Sequence, residues 1–226
     1  MRIKIIAICL VICTFLLASC DDRGEMTLGG FVDPNTQIEY VPVTPMGLYP
    51  VDKPESEFIT VKEGEVDTVY YKVWFEETSE FLCYESAGNY FLMRSTEVDE
   101  PTVTEFEPIA AFIYNAANTV RVDNFFADSE YIPEDQRDDL TVGETALCKL
   151  VADSIMNGES VTVPVTYDDI QSHFYIRLLS QKYPGLYYLV SFFGYNGRYF
   201  LRDDAMGKTV YCPNDIIVRM VGDGQS

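Results

Sequence analysis

From Phe58 onward, apolar and polar residues alternate with the two-residue period of β-strands. The segment 69–75 alternates Val, Tyr, Val and Phe with Tyr, Lys and Trp, which is typical of a half-buried strand. Two runs rich in apolar residues, 81–84 and 90–94, flank Gly88-Asn89, a pair that favours a tight turn. These two runs therefore predict a β-hairpin.

The C-terminal part carries the strongest strand pattern. Residues 186–193 form an apolar and aromatic run, and 198–202 return as its partner strand after a glycine-containing turn. Because both faces of the first run are apolar, we expect it to lie centrally in a sandwich or barrel. The segments 208–211 and 216–221 predict a second hairpin.

Further strands are predicted at 102–106 and 109–122, although 110–117 is also compatible with a helix. An acidic, proline-containing stretch at 128–139 then interrupts the pattern. We expect a loop there, close to a boundary between two halves of the chain.

The segment 141–165 allows two interpretations. Residues 141–144 match a helix capping box, and a helical face follows, formed by Leu147, Leu150, Val151 and Ile155. Against a helix, Asn157-Gly158 stands between apolar runs as the turn of a hairpin does, and valines alternate over 161–165. We favour strands here because the pattern that follows is β.

These patterns predict a mainly β body, built as an antiparallel β-sandwich or barrel. About 170 residues follow Pro54, enough for one large β domain or for two small ones, an N-terminal β-rich domain at 55–135 and a C-terminal one at 136–226. The stretch 20–54 contains five prolines and few apolar repeats. We therefore expect it to be a flexible, partly extended tether.

Composition limits the partners of this body. The chain has 16 basic and 36 acidic residues, and removal of Arg2 and Lys4 with a leader leaves 14 basic residues and a net charge of −22. Such a charge repels phosphate backbones and anionic lipid surfaces, which argues against nucleic acid as a partner. Sixteen tyrosines and fourteen phenylalanines indicate a folded chain with a core.

Three of the six cysteines stand in the body, namely Cys83, Cys148 and Cys212. They are far apart in sequence and form no Cys-x-x-Cys group, so we expect neither a structural zinc site nor another cofactor. An odd number allows one disulfide at most within a monomer. The simplest expectation is that all three are small buried residues.

The N-terminus has the layout of a secretory signal peptide over residues 1–19. Arg2 and Lys4 form a positive region, and thirteen mostly apolar residues follow at 5–17, too few to span a bilayer. The sequence Leu17-Ala18-Ser19-Cys20 resembles the lipobox of bacterial lipoproteins. That resemblance implies cleavage before Cys20, acylation of its thiol and amino group, and a membrane anchor made of several acyl chains.

Asp21 and Asp22 follow the cysteine of the lipobox. Acidic residues at this place resemble the export signal of surface-exposed lipoproteins of Bacteroidota, which reach the outer face of the outer membrane. In enterobacteria, an aspartate at the same place instead retains a lipoprotein in the inner membrane. We favour the outer membrane, with the body exposed at the cell surface.

No catalytic site is predicted. His173 is the only histidine, and it stands in a predicted strand, where an ordinary half-buried histidine is expected. No calcium-loop motif occurs, and 128–139 is the first place to look for a calcium site. Three acid pairs lack any spacing that would identify glycosidase carboxylates: Asp138-Asp139, Asp168-Asp169 and Asp203-Asp204.

Aromatic side chains of the C-terminal hairpin are suited to stack on sugars or on a protein partner. We expect most of them to form core, and we name Tyr195 and Tyr199, at the hairpin tip, as candidate binding residues. The sequence favours a non-enzymatic binding or assembly lipoprotein for a glycan, a peptide or an envelope protein. The alternative is a glycosidase-like hydrolase of the cell envelope that uses acidic residues alone.

Overall fold

The structure is a computed structural model, which describes residues 30–43, 47–51, 54–63, 66–73, 79–125, 145–164, 170 and 172–221. The range Phe31–Ser226 forms one compact unit. The predicted signal peptide, the lipobox cysteine, both aspartates after it and the loop at 128–139 lie outside the described residues. Within the described part, the prediction of a mainly β body with antiparallel sheets is confirmed.

The described residues form thirteen strands and two helices. The strands are β1 (Phe31–Val32), β2 (Glu39–Pro42), β3 (Leu48–Pro50), β4 (Glu57–Glu63), β5 (Val66–Lys72), β6 (Phe81–Ser86), β7 (Asn89–Ser95), β8 (Ala110–Asn115), β9 (Arg121–Phe125), β10 (Ser172–Leu179), β11 (Leu186–Tyr195), β12 (Arg198–Asp203) and β13 (Lys208–Tyr211). The helices are α1 (Thr145–Asn157) and α2 (Asn214–Val221).

The first sheet has the strand order β1-β2-β7-β6-β5-β4 and curls toward a barrel. Phe31 on β1 lies 4.2 Å from Tyr70 on β5 between ring centroids, and Tyr40 on β2 lies 6.0 Å from Phe58 on β4. These strands are not neighbours in the sheet, so only strong curvature brings their rings together. The interior is filled by Phe31, Tyr40, Tyr70, Leu82, Tyr84 and Met93.

The second sheet has the order β13-β12-β11-β10-β8-β9, and β3 also pairs with β11. Strand β10 pairs with one edge of β11 from Tyr187 to Gly194, while β3 and β12 pair with the two ends of its other edge. The prediction of a central strand at 186–193 is therefore confirmed. The core face of this sheet carries Ile176, Leu178, Val190 and Phe192, all fully buried.

One large core joins both sheets and both helices. Strand β6 is buried on both faces: Leu82 points into the curled first sheet, whereas Phe81 and Cys83 contribute to the core shared with the second sheet. The ring of Phe81 meets Tyr183, which in turn stacks on Phe106 with a centroid distance of 5.5 Å. The two sheets thus cannot separate without exposing apolar surface.

Two of the predicted hairpins are present, β6–β7 and β11–β12. Ala87 and Gly88 link β6 to β7, with φ of 51° and 78°, and Asn196 and Gly197 link β11 to β12, with φ of 50° and 70°. Two successive positive φ angles define the type I′ turn, whose twist matches that of the flanking strands. In the first hairpin the turn residues are Ala87-Gly88, one residue earlier than the predicted pair Gly88-Asn89.

The interpretation of 141–165 as strands is wrong, because Thr145–Asn157 is helix α1. Its apolar positions at a helical spacing, including Cys148, Val151 and Ile155, are fully buried against the second sheet. Gly158 ends the helix, and a Cβ there would meet the carbonyl oxygen of Ser154 at 2.4 Å. The helical alternative was correct, and its proposed capping box lies outside the described residues.

The strand predicted at 216–221 is also wrong, because this segment is helix α2. The carbonyl oxygen of Pro213 accepts hydrogen bonds from the amides of Ile216 and Ile217, which starts the helix. Ile216 is fully buried, and Ile217 packs beside it on the core. Neighbouring apolar residues fit either a strand or a helix face, so a run this short does not reveal its period.

Two further predictions are corrected. Residues 102–106 form a turn rather than a strand: the Thr102 amide donates to Glu105 Oε2 at 2.9 Å, and the Glu105 amide donates to Thr102 Oγ1 at 3.4 Å. The predicted tether contains β1, β2 and β3, which pair within the two sheets. Strands of two to four residues carry too little periodicity to be recognised in a proline-containing stretch.

Candidate functional site

The second sheet has an outer face opposite its core face, and residues of this outer face alternate with core residues along each strand. On β10 these are His173, Tyr175 and Arg177, and on β11 they include Ser191 and Phe193. Tyr175 lies directly opposite Ser191, which lies directly opposite Arg202 on β12. One row of three polar side chains therefore crosses three neighbouring strands.

A pocket of about 160 Å³ opens on this face. Its described lining combines hydrogen-bonding side chains with apolar ones: His173, Tyr175, Ser191, Arg202, Asp204, Phe193 and Ile170. Ser191 and Phe193 are buried, His173, Tyr175 and Ile170 are half-buried, and Arg202 is exposed. The pocket thus has an apolar base at Phe193 and a polar rim.

An ion pair occupies one side of the pocket. Arg202 Nε lies 2.5 Å from Asp204 Oδ1. Burial lowers the pKa of His173, and the negative charge of Asp204 opposes this shift. The neutral form of the imidazole is therefore favoured at pH 7, and it has one nitrogen that donates and one that accepts a hydrogen bond.

Four stacked side chains continue the outer face beside the pocket. We call this set the ladder, and it consists of Tyr49, Tyr187, Arg177 and Tyr114. Tyr49 and Tyr187 stack with a centroid distance of 5.4 Å, and Arg177 Cζ lies 4.6 Å from the Tyr187 ring and 3.7 Å from the Tyr114 ring. Asn118 accepts two hydrogen bonds from the Arg177 guanidinium, at 2.9 and 2.8 Å. These contacts fix Arg177 in place.

The ladder and the pocket adjoin each other. The charge of Asp204 and the phenol of Tyr175 both raise the pKa of Tyr49, although burial is the larger cause of that shift. Burial likewise raises the pKa of Tyr187 to about 12. The phenols of Tyr49 and Tyr187 are therefore neutral hydrogen-bonding groups at physiological pH.

The two candidate binding residues lie on opposite faces of the hairpin. Tyr195, half-exposed at the end of β11, follows Phe193 by two residues and so shares the face of the pocket. Tyr199 belongs to the core face, where it stacks on Phe192 with a centroid distance of 5.5 Å. The structure thus brings Tyr195 but not Tyr199 to the side of the sheet that carries the pocket.

The acid pair Asp203-Asp204 is divided between the two faces. Asp203 is fully buried in the core, where it accepts a hydrogen bond of 2.8 Å from the Tyr188 hydroxyl and one of 3.0 Å from the Met206 amide. Asp204 alone lines the pocket. The other two acid pairs lie outside the described residues.

The three cysteines of the body are buried. Burial raises the pKa of Cys83 to about 12 and raises that of Cys212 as well, so these thiols are protonated and unreactive at neutral pH. Among the described residues, no group of three or more His, Cys, Asp or Glu side chains is arranged to hold a metal ion. No described helix is long and apolar enough to cross a bilayer.

The pocket residues lie on or beside the three consecutive strands β10, β11 and β12. Sequence reasoning missed the pocket because it predicted the pairing of β11 with β12 but not that of β10 with β11. Among the pocket residues, the sequence identifies His173 as the only histidine and Asp204 as a member of the pair Asp203-Asp204. The two-residue period places His173 and Tyr175 on one face, but it does not reveal which strands lie beside them. No protein-family model matches the chain, and no match exists among the curated proteins or the solved structures that were compared.

Proposed function

We propose that this protein is a lipoprotein held in the outer membrane through lipid on Cys20, with its body at the cell surface. We further propose that the body is a non-enzymatic binding or assembly module for a glycan, a peptide or an envelope partner. The lipobox and the two aspartates after Cys20 support the anchor and the location.

The observation that carries the binding proposal is the pocket on the outer face of the second sheet. A concave site with an apolar base and several convergent polar groups is the usual form of a ligand site. Most of these groups lie on β10 and β11, two paired strands in the middle of the sheet. The site is therefore formed on a rigid part of the body.

The alternative of an acid-dependent hydrolase finds less support. Glycosidases of this type need two carboxyl groups that face each other across the substrate. Among the described residues that line the pocket, Asp204 is the one carboxylate, and Asp203 hydrogen-bonds on the opposite side of the sheet. A hydrolase built on His173 would need a different constellation, such as a serine that His173 contacts.

The binding proposal is tested with the full chain purified in detergent micelles and screened against arrays of glycans, peptides and envelope fragments. We expect saturable binding that Arg202→Leu weakens and that leaves the ligand chemically unchanged. Arg198→Leu is the matched control, since Arg198 lies on the same strand but contacts Tyr211 outside the pocket. Release of a product that stops in His173→Gln, with the melting temperature unchanged, contradicts a non-enzymatic module.

The location is tested by adding protease to intact cells. A body at the cell surface is removed by the protease while periplasmic proteins stay whole. Full protection of the body in intact cells, followed by digestion after lysis, would instead support a periplasmic orientation.

A further inference from the structure

The pocket contains an ion pair, Arg202 with Asp204, whose two side chains remain partly exposed to solvent. The Arg202 and Asp204 side chains remain 51% and 35% exposed although they form an ion pair. Donor atoms of the guanidinium and acceptor atoms of the carboxylate are therefore still open to a ligand. The pair presents donors and acceptors side by side while contributing no net charge.

This arrangement discriminates against charged ligands. An anion near Arg202 also meets Asp204, and a cation near Asp204 also meets Arg202, so neither gains from an unopposed charge. The net charge of −20 for the whole chain further disfavours the approach of anions. A neutral ligand with many hydrogen-bonding groups fits both conditions.

We infer that the pocket binds the terminal unit of a neutral saccharide, with neighbouring sugar hydroxyls bridging Arg202 and Asp204. Each hydroxyl both donates and accepts hydrogen bonds, so one hydroxyl can donate to the carboxylate while the next accepts from the guanidinium. Ser191 and His173 supply further donors and acceptors on the neighbouring strands. The inference rests on the proposed binding function and names its ligand class.

The apolar parts of the pocket fit the C–H faces of a sugar ring. The rings of His173 and Tyr175 lie 4.8 Å apart between centroids and together form one wall, and Phe193 and Ile170 complete the apolar lining. Flat rings pack well against pyranose C–H groups because both surfaces are apolar. The ladder adjoins the pocket at the half-buried Tyr49, whose side chain is the contact surface for a second sugar unit.

The test measures binding of defined sugars to the full chain in detergent micelles by titration calorimetry. The probes are the methyl glycosides of glucose, galactose, mannose and N-acetylglucosamine, with methyl glucuronide as an acidic probe of the same size. We expect saturable binding of at least one neutral glycoside and weaker binding of the glucuronide. Arg202→Leu and Asp204→Asn should each raise the dissociation constant of the neutral glycoside by about tenfold or more. This is the usual effect of losing a hydrogen bond to a charged group.

Two controls separate binding from folding. Arg198→Leu, on the same face of β12, should bind the glycoside as the unchanged protein does. Ser191→Ala removes a pocket hydroxyl without touching the ion pair, and it should weaken binding while the melting temperature stays constant. If Arg202→Leu fails to fold, Ser191→Ala and Asp204→Asn still test the inference.

The saccharide inference is overturned if no neutral glycoside binds, if the glucuronide binds more tightly, or if the pocket variants bind unchanged. Its failure can be distinguished from failure of the proposed function. A peptide whose binding is lost in Arg202→Leu overturns the saccharide inference and leaves a binding module. Cleavage of a bound glycoside has the opposite meaning, because it leaves the saccharide inference standing and contradicts a non-enzymatic role.

Discussion

The hydroxyl of Tyr188 donates a hydrogen bond of 2.8 Å to the Asp203 carboxylate inside the core, where both side chains are almost completely buried. Burial raises the pKa of Asp203 above its ordinary value of 3.8, and the hydrogen bonds from Met206, Tyr188 and Ala205 oppose that shift. The pair thus joins the central strand β11 to the end of β12 at a position where an unpaired carboxylate would be costly.

Removal of the donor should therefore destabilise the fold. We expect Tyr188→Phe to lower the free energy of unfolding by about 1–3 kcal/mol at pH 7, the usual cost of an unmade hydrogen bond at a buried group. Urea denaturation provides the measurement. Tyr183→Phe is the control, since the Tyr183 ring packs in the same core and no hydrogen bond of its hydroxyl is among those described. Equal losses of stability in both variants would contradict a specific role of the Tyr188–Asp203 hydrogen bond.

The pH dependence of Asp203 has a definite sign. A carboxyl group whose pKa is raised on folding stabilises the folded state below its unfolded-state pKa, and this contribution is lost as the pH rises through the folded-state pKa. We expect Asp203→Asn to remove that loss, so the variant should gain stability relative to the unchanged protein between about pH 4 and neutral pH. Denaturation curves at several pH values measure the difference, and a difference that does not vary with pH would contradict the shift.

The C-terminal hairpin allows a comparison of core and tip. Phe192 is fully buried, so Phe192→Ala should cost about 3–5 kcal/mol, a large part of the stability of a domain. Tyr195 is half-exposed at the tip, and Tyr195→Ala should cost far less and should weaken ligand binding if the ligand extends to this end of the sheet. Equal and small losses in both variants, measured by urea denaturation, would mean that the hairpin is peripheral to the fold.

The fold class and two of the predicted hairpins followed from the sequence because their signals are local. The turns at Ala87-Gly88 and Asn196-Gly197 and the continuous apolar run of β11 each lie within a few residues. The helix α2 was misassigned because its five apolar positions are compatible with both periods, and packing of Ile216 and its neighbours on the core selects the helix. The pocket depends on the pairing of β10 with β11, which the pattern within either strand alone does not encode.

The anchor has a direct chemical test. Metabolic labelling with palmitate should mark the chain, and Cys20→Ala should abolish the label because the acylated thiol is absent. Cys83→Ala is the matched control, since this buried thiol is far from any membrane signal and should leave labelling unchanged. Label that persists in Cys20→Ala would show that the lipobox resemblance is misleading.

His173 gives the most direct measurement of the central claim, that the outer face of the second sheet at the pocket is the binding site. Because it is the only histidine in the chain, its imidazole gives a single set of NMR signals in full chain labelled with carbon-13 histidine. Titration with the ligand found by array screening should shift these signals saturably, with the dissociation constant that calorimetry gives. Ligand binding that saturates in calorimetry and leaves the His173 signals unmoved would contradict the account.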